Sequence, residues 1–249
     1  MAERFMERNP NCYEDKHRAE AYAKLGFINT YYLAYRDLPG IILGHSQGRR
    51  AMDFGCGTGR STRFLRDLGF DAVGVDIAEE MIHLARQADP AGHYTVIPDG
   101  DFSQWKEHSF DLVQSVFTFD NIATQERKVR IFSGLRRLLS SDGRIVSLVS
   151  APEIYTHEWA SFSTRDFPEN HQAKNGDPVR IIVTDVEDPR PVEDIIWTDE
   201  GYRRVYDEAG LQLLETYRPL AKDDEPYPWV NETQIAPWVI YVLAPAESH

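Results

Sequence analysis

The stretch AMDFGCGTGRST, residues 51–62, joins a short apolar strand to a helix through a turn with three glycines. Units of this kind open many nucleotide-binding folds, because glycine lets the backbone approach a ligand closely. A dinucleotide fingerprint needs the pattern G-x-G-x-x-G. If the pattern starts at Gly55, its last position is Arg60, and if it starts at Gly57, its last position is Thr62, so neither register ends in glycine. A phosphate-binding loop needs Gly-Lys-Ser/Thr, and this turn has no lysine. The spacing therefore disfavours both phosphate-bearing ligand classes.

Composition restricts the function further. The chain has 249 residues, of which 42% are hydrophobic and 27% charged, as in one soluble α/β domain with an insertion. Its formal net charge of −13 argues against nucleic acid or a membrane surface as a partner. The two cysteines predict neither a metal site nor a disulfide framework. With no signal peptide and no membrane-spanning run, the sequence predicts a cytoplasmic protein. The predicted oligomeric state is a monomer or a homodimer.

Apolar strands alternate with amphipathic helices between residues 50 and 150, and a helix and two strands follow residue 198. This pattern predicts an α/β fold: a Rossmann-like, seven-stranded, mostly parallel sheet with helices on both faces. One helix begins at Arg60, a second contains Met81, and Thr124 caps a third that ends at SSDG. The predicted strands are RAMDF (50–54), AVGVD (72–76), YTVI (94–97), FDLVQSVF (110–117), RIVSLVS (144–150), LQLLETYRPL (211–220) and PWVIYVLAP (237–245).

The rhythm is interrupted between residues 151 and 197, a segment that contains five prolines. Within it, VRIIVTDVEDPRPVEDIIW (179–197) predicts two strands around a turn, and so an inserted antiparallel β lid. The predicted organisation has three parts. Residues 1–48 form an N-terminal helical cap, residues 49–150 and 198–249 form the core, and residues 151–197 form a substrate lid.

Two acids flank the glycine turn. Asp53 ends the first strand, and Asp76 ends the second. An acid at the second position can accept hydrogen bonds from both ribose hydroxyls of a nucleoside. An acid at the start of the turn suits a positively charged ligand better than a pyrophosphate. The pair therefore predicts a nucleoside ligand that carries positive charge.

Five motifs occur in order at matching spacing: DFGCGTG (53–59), GVDIAEEM (74–81), DGDF (99–102), FDLVQSVFTF (110–119) and LRRLLSSDGRIV (135–146). Together they resemble the class I S-adenosylmethionine-dependent methyltransferases of the small-molecule type, over most of the chain outside the insert. The resemblance implies S-adenosyl-L-methionine (SAM) as cofactor, S-adenosyl-L-homocysteine (SAH) as product, and methyl transfer as the reaction.

The resemblance also implies roles for the turn. Gly55 and Gly57 let the backbone approach the methionine part and the ribose. Asp53 binds the methionine amino group, directly or through water. Cys56 lies in the same turn and counts among the cofactor contacts, although packing of a small side chain also explains it.

Further roles follow for the second and third strands. Asp76 holds the ribose hydroxyls, and Ile77 packs on the adenine. Asp101 accepts a hydrogen bond from the adenine amino group, and Phe102 lies beside the adenine ring. Asp99 is the alternative acceptor for the adenine amino group. For both Asp76 and Phe102 there is a plain structural reading, a helix cap and core packing respectively.

The remaining contacts come from other segments. Ser115 and Phe117, at the end of the fourth strand, line the floor under the transferable methyl group. Tyr22 belongs to the N-terminal segment, and in this family such segments often fold over the cofactor.

Methyl transfer is an in-line displacement, so the enzyme mainly aligns the reactants, and a base is needed only if the acceptor loses a proton. The candidate catalytic residues are Asp120 in the loop FTFDNIA, His157 in the insert and Tyr32 in the N-terminal segment.

The Asn/Asp-Pro-Pro-Tyr motif of enzymes that methylate nucleic acid bases is absent. Four of the five tryptophans follow residue 150, and an aromatic lid suits a flat or cationic small acceptor, methylated on nitrogen or oxygen rather than carbon. Three alternatives stay open: a SAM-binding sensor or scaffold without catalysis, an enzyme that uses the same fold for a different reaction on the sulfonium, and a nicotinamide-dependent oxidoreductase.

Overall fold

A computed structural model of the chain describes residues 26–188 and 190–246. Tyr22 lies outside the described residues, as does most of the N-terminal cap predicted at 1–48. The part of the cap that is described contains two short helices, α1 (Thr30–Arg36) and α2 (Leu38–His45). Among the described residues, no helix has the length and apolar character needed to cross a membrane.

A seven-stranded sheet forms the centre of the molecule. Its strands are β1 (Arg50–Phe54), β2 (Asp71–Asp76), β3 (His93–Val96), β4 (Phe110–Val116), β5 (Leu139–Ser150), β9 (Leu211–Tyr217) and β10 (Trp238–Pro245). They lie in the order β3-β2-β1-β4-β5-β10-β9. Strand β10 pairs antiparallel with β5 and with β9, whereas the other pairs are parallel. The prediction of a mostly parallel sheet is therefore confirmed.

Helices cover both faces of this sheet. They are α3 (Arg60–Asp67), α4 (Glu79–Ala88), α5 (Gln125–Leu138) and α6 (Asp199–Glu208). The predicted caps are present, since Thr124 Oγ1 accepts from Arg127 N and Thr198 Oγ1 accepts from Gly201 N. Successive residues of β4 and β5 point to opposite faces and pack into two separate hydrophobic clusters. The central strands are therefore buried on both sides, as their sequence predicts.

The start of β5 differs from the prediction. The segment SSDG does not follow α5 as a separate turn, because β5 begins at Leu139, directly after the helix. Leu139 pairs with Phe110, and the next β4 partner, Leu112, pairs with Arg144. Residues 140–143 are therefore an irregularity within the strand.

The insert forms a second, three-stranded antiparallel sheet in the order β6-β7-β8. Its strands are β6 (Phe162–Ser163), β7 (Pro178–Val183) and β8 (Val192–Ile195). The predicted hairpin corresponds to β7 and β8, and β6 is an additional strand that the sequence did not indicate. Short 3-10 helices at Phe119–Asn121, Pro152–Tyr155 and Pro168–Gln172 complete the connections.

Candidate active site

A cavity of about 1120 Å³ opens where β1, β2 and β4 end at their carboxyl edge. Open α/β sheets bind ligands at this edge. One side, here called the turn end, is lined by Gly55, Gly57, Asp76, Ile77 and Asp99. The opposite side, the insert end, is lined by Tyr31, Phe117, Asp120, Tyr155, Phe162, Asp194 and Trp238. One continuous space therefore joins the sheet edge to the inserted sheet.

The glycine turn depends on glycine for two different reasons. Gly55 has a φ of +74° and Gly57 a φ of +51°, a region that other L-residues adopt at a cost. A Cβ at Gly55 would collide with the Thr118 side chain, whereas a Cβ at Gly57 would meet no atom within 4 Å. Gly55 therefore lets β1 and the loop after β4 pack together, and Gly57 presents bare backbone to the cavity.

Asp76 joins this turn to the second strand. Its Oδ2 accepts from Gly57 N at 2.8 Å, and its Oδ1 accepts from Ala78 N at 2.9 Å. Burial raises the pKa of Asp76, although both backbone donors favour the charged form. Ile77, beside it, is 46% exposed and lines the cavity. The predicted ribose and adenine contacts therefore lie where a nucleoside could reach both.

Cys56 also lines the cavity but is buried. Burial raises the pKa of its thiol well above the usual range, so the sulfur stays protonated and a poor nucleophile. The residue acts as a small filler of the turn.

Asp53, which is predicted to bind the cofactor directly or through water, is not among the residues that line the cavity. It is fully buried and accepts from Ser61 Oγ and Thr62 Oγ1, both at 2.6 Å, and from Gln114 Nε2 at 3.4 Å. Desolvation by burial raises its pKa to about 6. The carboxyl group holds the first turn of α3 against β1 and acts on the cavity through Ser61, which does line it.

The structure brings Asp99 rather than Asp101 to the cavity. Asp101 is exposed and accepts from Ser103 N at 2.9 Å, closing a local turn. Asp99 lines the turn end and pairs with Arg127 at 3.0 Å and Arg130 at 2.6 Å. Two acids separated by one residue in an irregular loop give no periodicity from which to choose between them. Asp101 therefore stays a prediction with Asp99 as its alternative, and of the two only Asp99 lines the cavity.

Phe102 and Ser115 also lie away from the cavity. Phe102 is buried with its ring centroid 5.9 Å from that of Phe54, so it packs in the core. Ser115 is buried within β4 and is not among the residues that line the cavity. Phe117, two residues later, does line the cavity, with a φ of +59° that turns the chain at the strand end.

Two of the three predicted catalytic residues do not line the cavity. The ring of Tyr32 packs against Tyr227 at 4.9 Å and Trp229 at 6.5 Å. The Nδ1 atom of His157 lies 3.0 Å from the carbonyl oxygen of Glu153. Adjacent residues on a helix point in different directions, and on α1 it is Tyr31, not Tyr32, that reaches the cavity.

Asp120 is the predicted catalytic residue that does line the cavity, and it is 3% exposed. Its carboxylate accepts from Ser150 N at 3.1 and 3.3 Å. Burial raises its pKa to about 6, and the nearby positive charge of Lys128 opposes that rise. An acid of this kind is ionised at neutral pH and can accept a proton.

Lys128 is a buried cation that the sequence analysis missed. It lies on α5 with no exposed surface, and Nζ donates to Phe119 O. Nζ also lies 5.1 Å from the ring centroids of Trp197 and Tyr202. Burial lowers its pKa to about 7, and Asp120 opposes that change. A lysine within the apolar stripe of an amphipathic helix was the signal that could have revealed it.

Aromatic side chains dominate the insert end. The Trp238 ring lies 5.8 Å from Tyr31, 4.7 Å from Phe117 and 5.6 Å from Phe162. These rings come from β10, α1, the end of β4 and β6, so no single motif contains them. They form an apolar wall suited to a flat molecule.

Hydrogen bonds between segments that are far apart in the chain hold this aromatic wall in place. Trp238 Nε1 donates to Thr30 O at 2.8 Å. Glu232 is fully buried and accepts from Thr30 Oγ1, Ala160 N and Val230 N, each at 2.7 Å. The N-terminal helix, the insert and the segment before β10 therefore meet at one carboxylate.

Tyr155 and Asp194 place polar groups in the same wall. The Tyr155 hydroxyl donates to Asp194 Oδ2 at 3.1 Å. Burial raises the pKa of Tyr155 well above its usual range, and the negative charges of Asp194 and Asp120 add to that rise. The insert end thus combines an apolar wall with carboxylates.

Comparison with known proteins agrees with this geometry. A family model described as "Methyltransferase domain" matches residues 52–147, which include β1–β4, the glycine turn and most of β5. Residues 52–147 form a methyltransferase domain. The domain belongs to the class I, S-adenosylmethionine-dependent family.

Relatives of this methyltransferase domain match over limited lengths. A ubiquinone biosynthesis O-methyltransferase of Bordetella avium is 26% identical over 98 residues, covering 38% of this chain and 41% of the relative. A demethylmenaquinone methyltransferase of Tropheryma whipplei is 29% identical over 132 residues, covering 51% of this chain and 54% of the relative. The chain thus spans about half the length of such relatives. A SAM-dependent methyltransferase of Methanosarcina mazei shares the fold, with a TM-score of 0.61 and 16% identity, covering 83% of this chain and 98% of that one.

Proposed function

We propose that this protein transfers a methyl group from SAM to a small-molecule acceptor. The supporting observation is the single cavity in which Asp76 and the glycine turn face an aromatic wall that includes Trp238. A cofactor bound at the turn end would direct its reactive group towards that wall. An aromatic wall opposite the turn favours catalysis over a sensor that leaves the methyl group open to water.

The lining of the turn end fits this cofactor. Gly57 leaves open space over its Cα, Asp76 offers two carboxylate oxygens beside it, and Ile77 offers an apolar surface. Acidic groups suit a ligand with a sulfonium and an ammonium group, and they oppose a pyrophosphate. Asp76 would hold the ribose hydroxyls and Ile77 the adenine. The bound cofactor supplies an electrophilic methyl group on a sulfur that leaves readily.

The protein's contribution is alignment and removal of a proton. Holding acceptor and methyl group in line can lower the barrier by about 7–11 kcal/mol. Asp120 is the candidate base, because its carboxyl group lies in the cavity wall, where burial raises its pKa and the nearby positive charge of Lys128 favours its ionised form. Tyr155 and Asp194 would orient the acceptor.

The acceptor is proposed to be a flat or cationic small molecule methylated on nitrogen or oxygen. The aromatic wall supports a flat ring, and Asp120 and Asp194 support a hydrogen-bonding or protonatable group on it. The names of the Bordetella and Tropheryma relatives refer to quinone biosynthesis, which is consistent with a flat ring.

Calorimetry with Asp76→Ala tests the cofactor. We expect SAH affinity to fall by about tenfold to a hundredfold, because the variant removes charge-assisted hydrogen bonds to ribose. Asp71→Ala is the matched control, since Asp71 is exposed at the other end of the same strand. Unchanged affinity in Asp76→Ala would exclude the ribose assignment.

Incubation of a metabolite extract with SAM carrying an isotopically labelled methyl group tests the reaction. We expect a labelled small molecule by mass spectrometry with the wild-type protein, and much less of it with Asp76→Ala at the same SAM concentration. Tight SAH binding without any labelled product from diverse extracts would support a sensor instead.

A further inference from the structure

A second, smaller cavity of about 180 Å³, here called the amino-edge cavity, lies across the main sheet from the candidate active site. It is bordered by the start of β5 and the end of β10. Leu139 pairs with Phe110 where β5 and β4 begin, so this cavity lies at the amino edge of the parallel strands, and the larger one lies at their carboxyl edge. Its charged and polar lining consists of Glu107, His108, Arg136, Arg137, Ser140 and Ser141.

Arg136 brings to this cavity a positive charge that pairs with no described carboxylate. It lies in the last turn of α5, and its guanidinium group packs against Gly210, where an added Cβ would lie 3.3 Å from Cζ and Nε. Its Nε is buried without a hydrogen-bond partner, and within residues 26–188 and 190–246 the guanidinium group forms no ion pair. Buried polar groups in proteins nearly always have a partner. An anion beside this group would therefore offset a charge that the described protein leaves uncompensated.

The end of α5 does not supply that negative charge. Helix carbonyl groups attract cations at a carboxyl terminus, but two of these carbonyl groups already have backbone donors. Leu139 N donates to Arg136 O, and His108 N donates to Arg137 O at 3.1 Å. The Arg137 side chain is 55% exposed, and its Nε lies 3.6 Å from the carboxylate of Glu107, which is 63% exposed. An exposed pair at this distance is weak, so it does not neutralise the cavity.

Two other segments contribute polar groups to the same space. His108 lies in the loop before β4, and its Nδ1 lies 2.7 Å from Leu139 O. Because a carbonyl oxygen only accepts, Nδ1 carries the proton and Nε2 is the nitrogen left for a ligand. Ser141, near the start of β5, adds a hydroxyl group. Polar groups from the end of α5, the loop before β4 and the start of β5 therefore border one small space.

We propose that the amino-edge cavity binds a phosphate group, either as free phosphate or as a small phosphate monoester. Guanidinium groups bind phosphate oxygens through parallel, charge-assisted hydrogen bonds. Polar groups from three segments suit a ligand with oxygens in several directions better than a planar carboxylate. The cavity is about one sixth the size of the candidate active site, so it has room for a phosphate group but not for SAM. This binding is independent of the proposed methyl transfer.

Calorimetry with inorganic phosphate, at constant ionic strength in chloride, tests the site. We expect saturable binding by the wild type and an affinity about tenfold lower in Arg136→Met, which keeps the packed stem and removes the charge. Arg203→Met removes the same charge from an exposed position of α6 outside the cavity, and it should leave the phosphate affinity unchanged. The SAH affinity of Arg136→Met should stay within about twofold of the wild type, because the two cavities lie at opposite edges of the sheet.

Glu107→Gln separates binding from folding. Glu107 is exposed, so the variant should fold normally, and the loss of its negative charge should strengthen phosphate binding about twofold to fivefold. A purely structural role of Arg136 predicts no such gain. Methyl phosphate in the same titration distinguishes the sources, since tighter binding than inorganic phosphate indicates a monoester and weaker binding indicates free phosphate.

Three results would overturn the phosphate site: no saturable binding by the wild type, wild-type affinity in Arg136→Met, or no gain in Glu107→Gln. A wild-type protein that binds phosphate in this way but not SAH would refute the proposed function and support the phosphate site.

Discussion

The turn end of the cavity is built from residues close together in the chain, whereas the insert end is built from residues far apart. Gly57 and Asp76, which share a hydrogen bond, are 19 positions apart. Thr30 is 202 positions from Glu232 and 208 from Trp238. Short-range bonds can form with little loss of chain entropy, but long-range bonds form only once most of the fold exists. The two ends should therefore respond differently to substitution.

Glu232→Ala tests the insert end and should have the largest effect. The variant leaves the buried Thr30 hydroxyl and three part-buried backbone N–H groups without their acceptor, so we expect the free energy of unfolding to fall by about 3–5 kcal/mol in urea titrations. SAH affinity below the melting temperature should stay within about twofold, because the turn end makes none of these bonds. Glu200→Ala, at an exposed helical position, is the control. A parallel loss of SAH affinity would show that the ends are not independent.

Gly55→Ala and Gly57→Ala compare folding with binding inside the turn. Gly55→Ala should lower the free energy of unfolding by about 2–4 kcal/mol, since strain at positive φ adds to the collision with Thr118. Gly57→Ala should cost about 1–2 kcal/mol from strain alone, yet weaken SAH binding at least tenfold because its methyl group occupies open cavity space. Urea titration and calorimetry on both variants measure this, and a Gly57→Ala protein with normal affinity would contradict a close approach of the cofactor.

Asp53→Asn tests the buried acid behind the turn. Burial raises its pKa from 3.8 to about 6, so the folded protein keeps the proton to higher pH than the unfolded chain. The raised pKa of Asp53 therefore stabilises the fold fully below about pH 4, and this contribution to the free energy of unfolding is lost as the pH rises through about 6. Relative to Asp53→Asn, the wild type should therefore lose up to about 3 kcal/mol of unfolding free energy between pH 4 and pH 7. A constant difference across that range would contradict the raised pKa.

Asp99→Ala and Asp101→Ala should differ by the smallest amount. Asp99 lines the cavity, so its loss should weaken SAH binding about threefold to tenfold, the usual range for one hydrogen bond. Asp101 is exposed, and its replacement should leave the affinity unchanged. The reverse order in calorimetry would restore Asp101 as the adenine partner.

The sequence predicted the turn end in most respects, because each part of it follows from a local rule. The strand–turn–helix unit, the glycines at positive φ and Asp76 at a strand end all lie within residues 50–76. That Asp53 does not line the cavity could not be predicted, because a motif gives the position of a carboxyl group along the chain but not the direction of its side chain. Ser61 and Thr62, on the first turn of α3, take that carboxyl group instead.

The insert end was predicted only as an aromatic lid. Tyr32 was selected where Tyr31 lines the cavity, because the register of a seven-residue helix cannot be fixed from a run of tyrosines. His157 was selected as a titratable group in the insert, but the insert packs through Tyr155 and Trp159. Contacts such as those of Trp238 with Thr30 depend on tertiary structure, and no local pattern contains them.

The place of β10 in the sheet has a consequence for biosynthesis. The last described strand lies between β5 and β9, and in the described sheet β9 stands at the edge with β10 as its one neighbour. On the ribosome, β9 therefore emerges before its partner exists, and the β5 edge stays open to other nascent chains until residues 238–245 leave the exit tunnel. Completion of the sheet, and with it the wall that Trp238 supplies, therefore waits for the synthesis of β10.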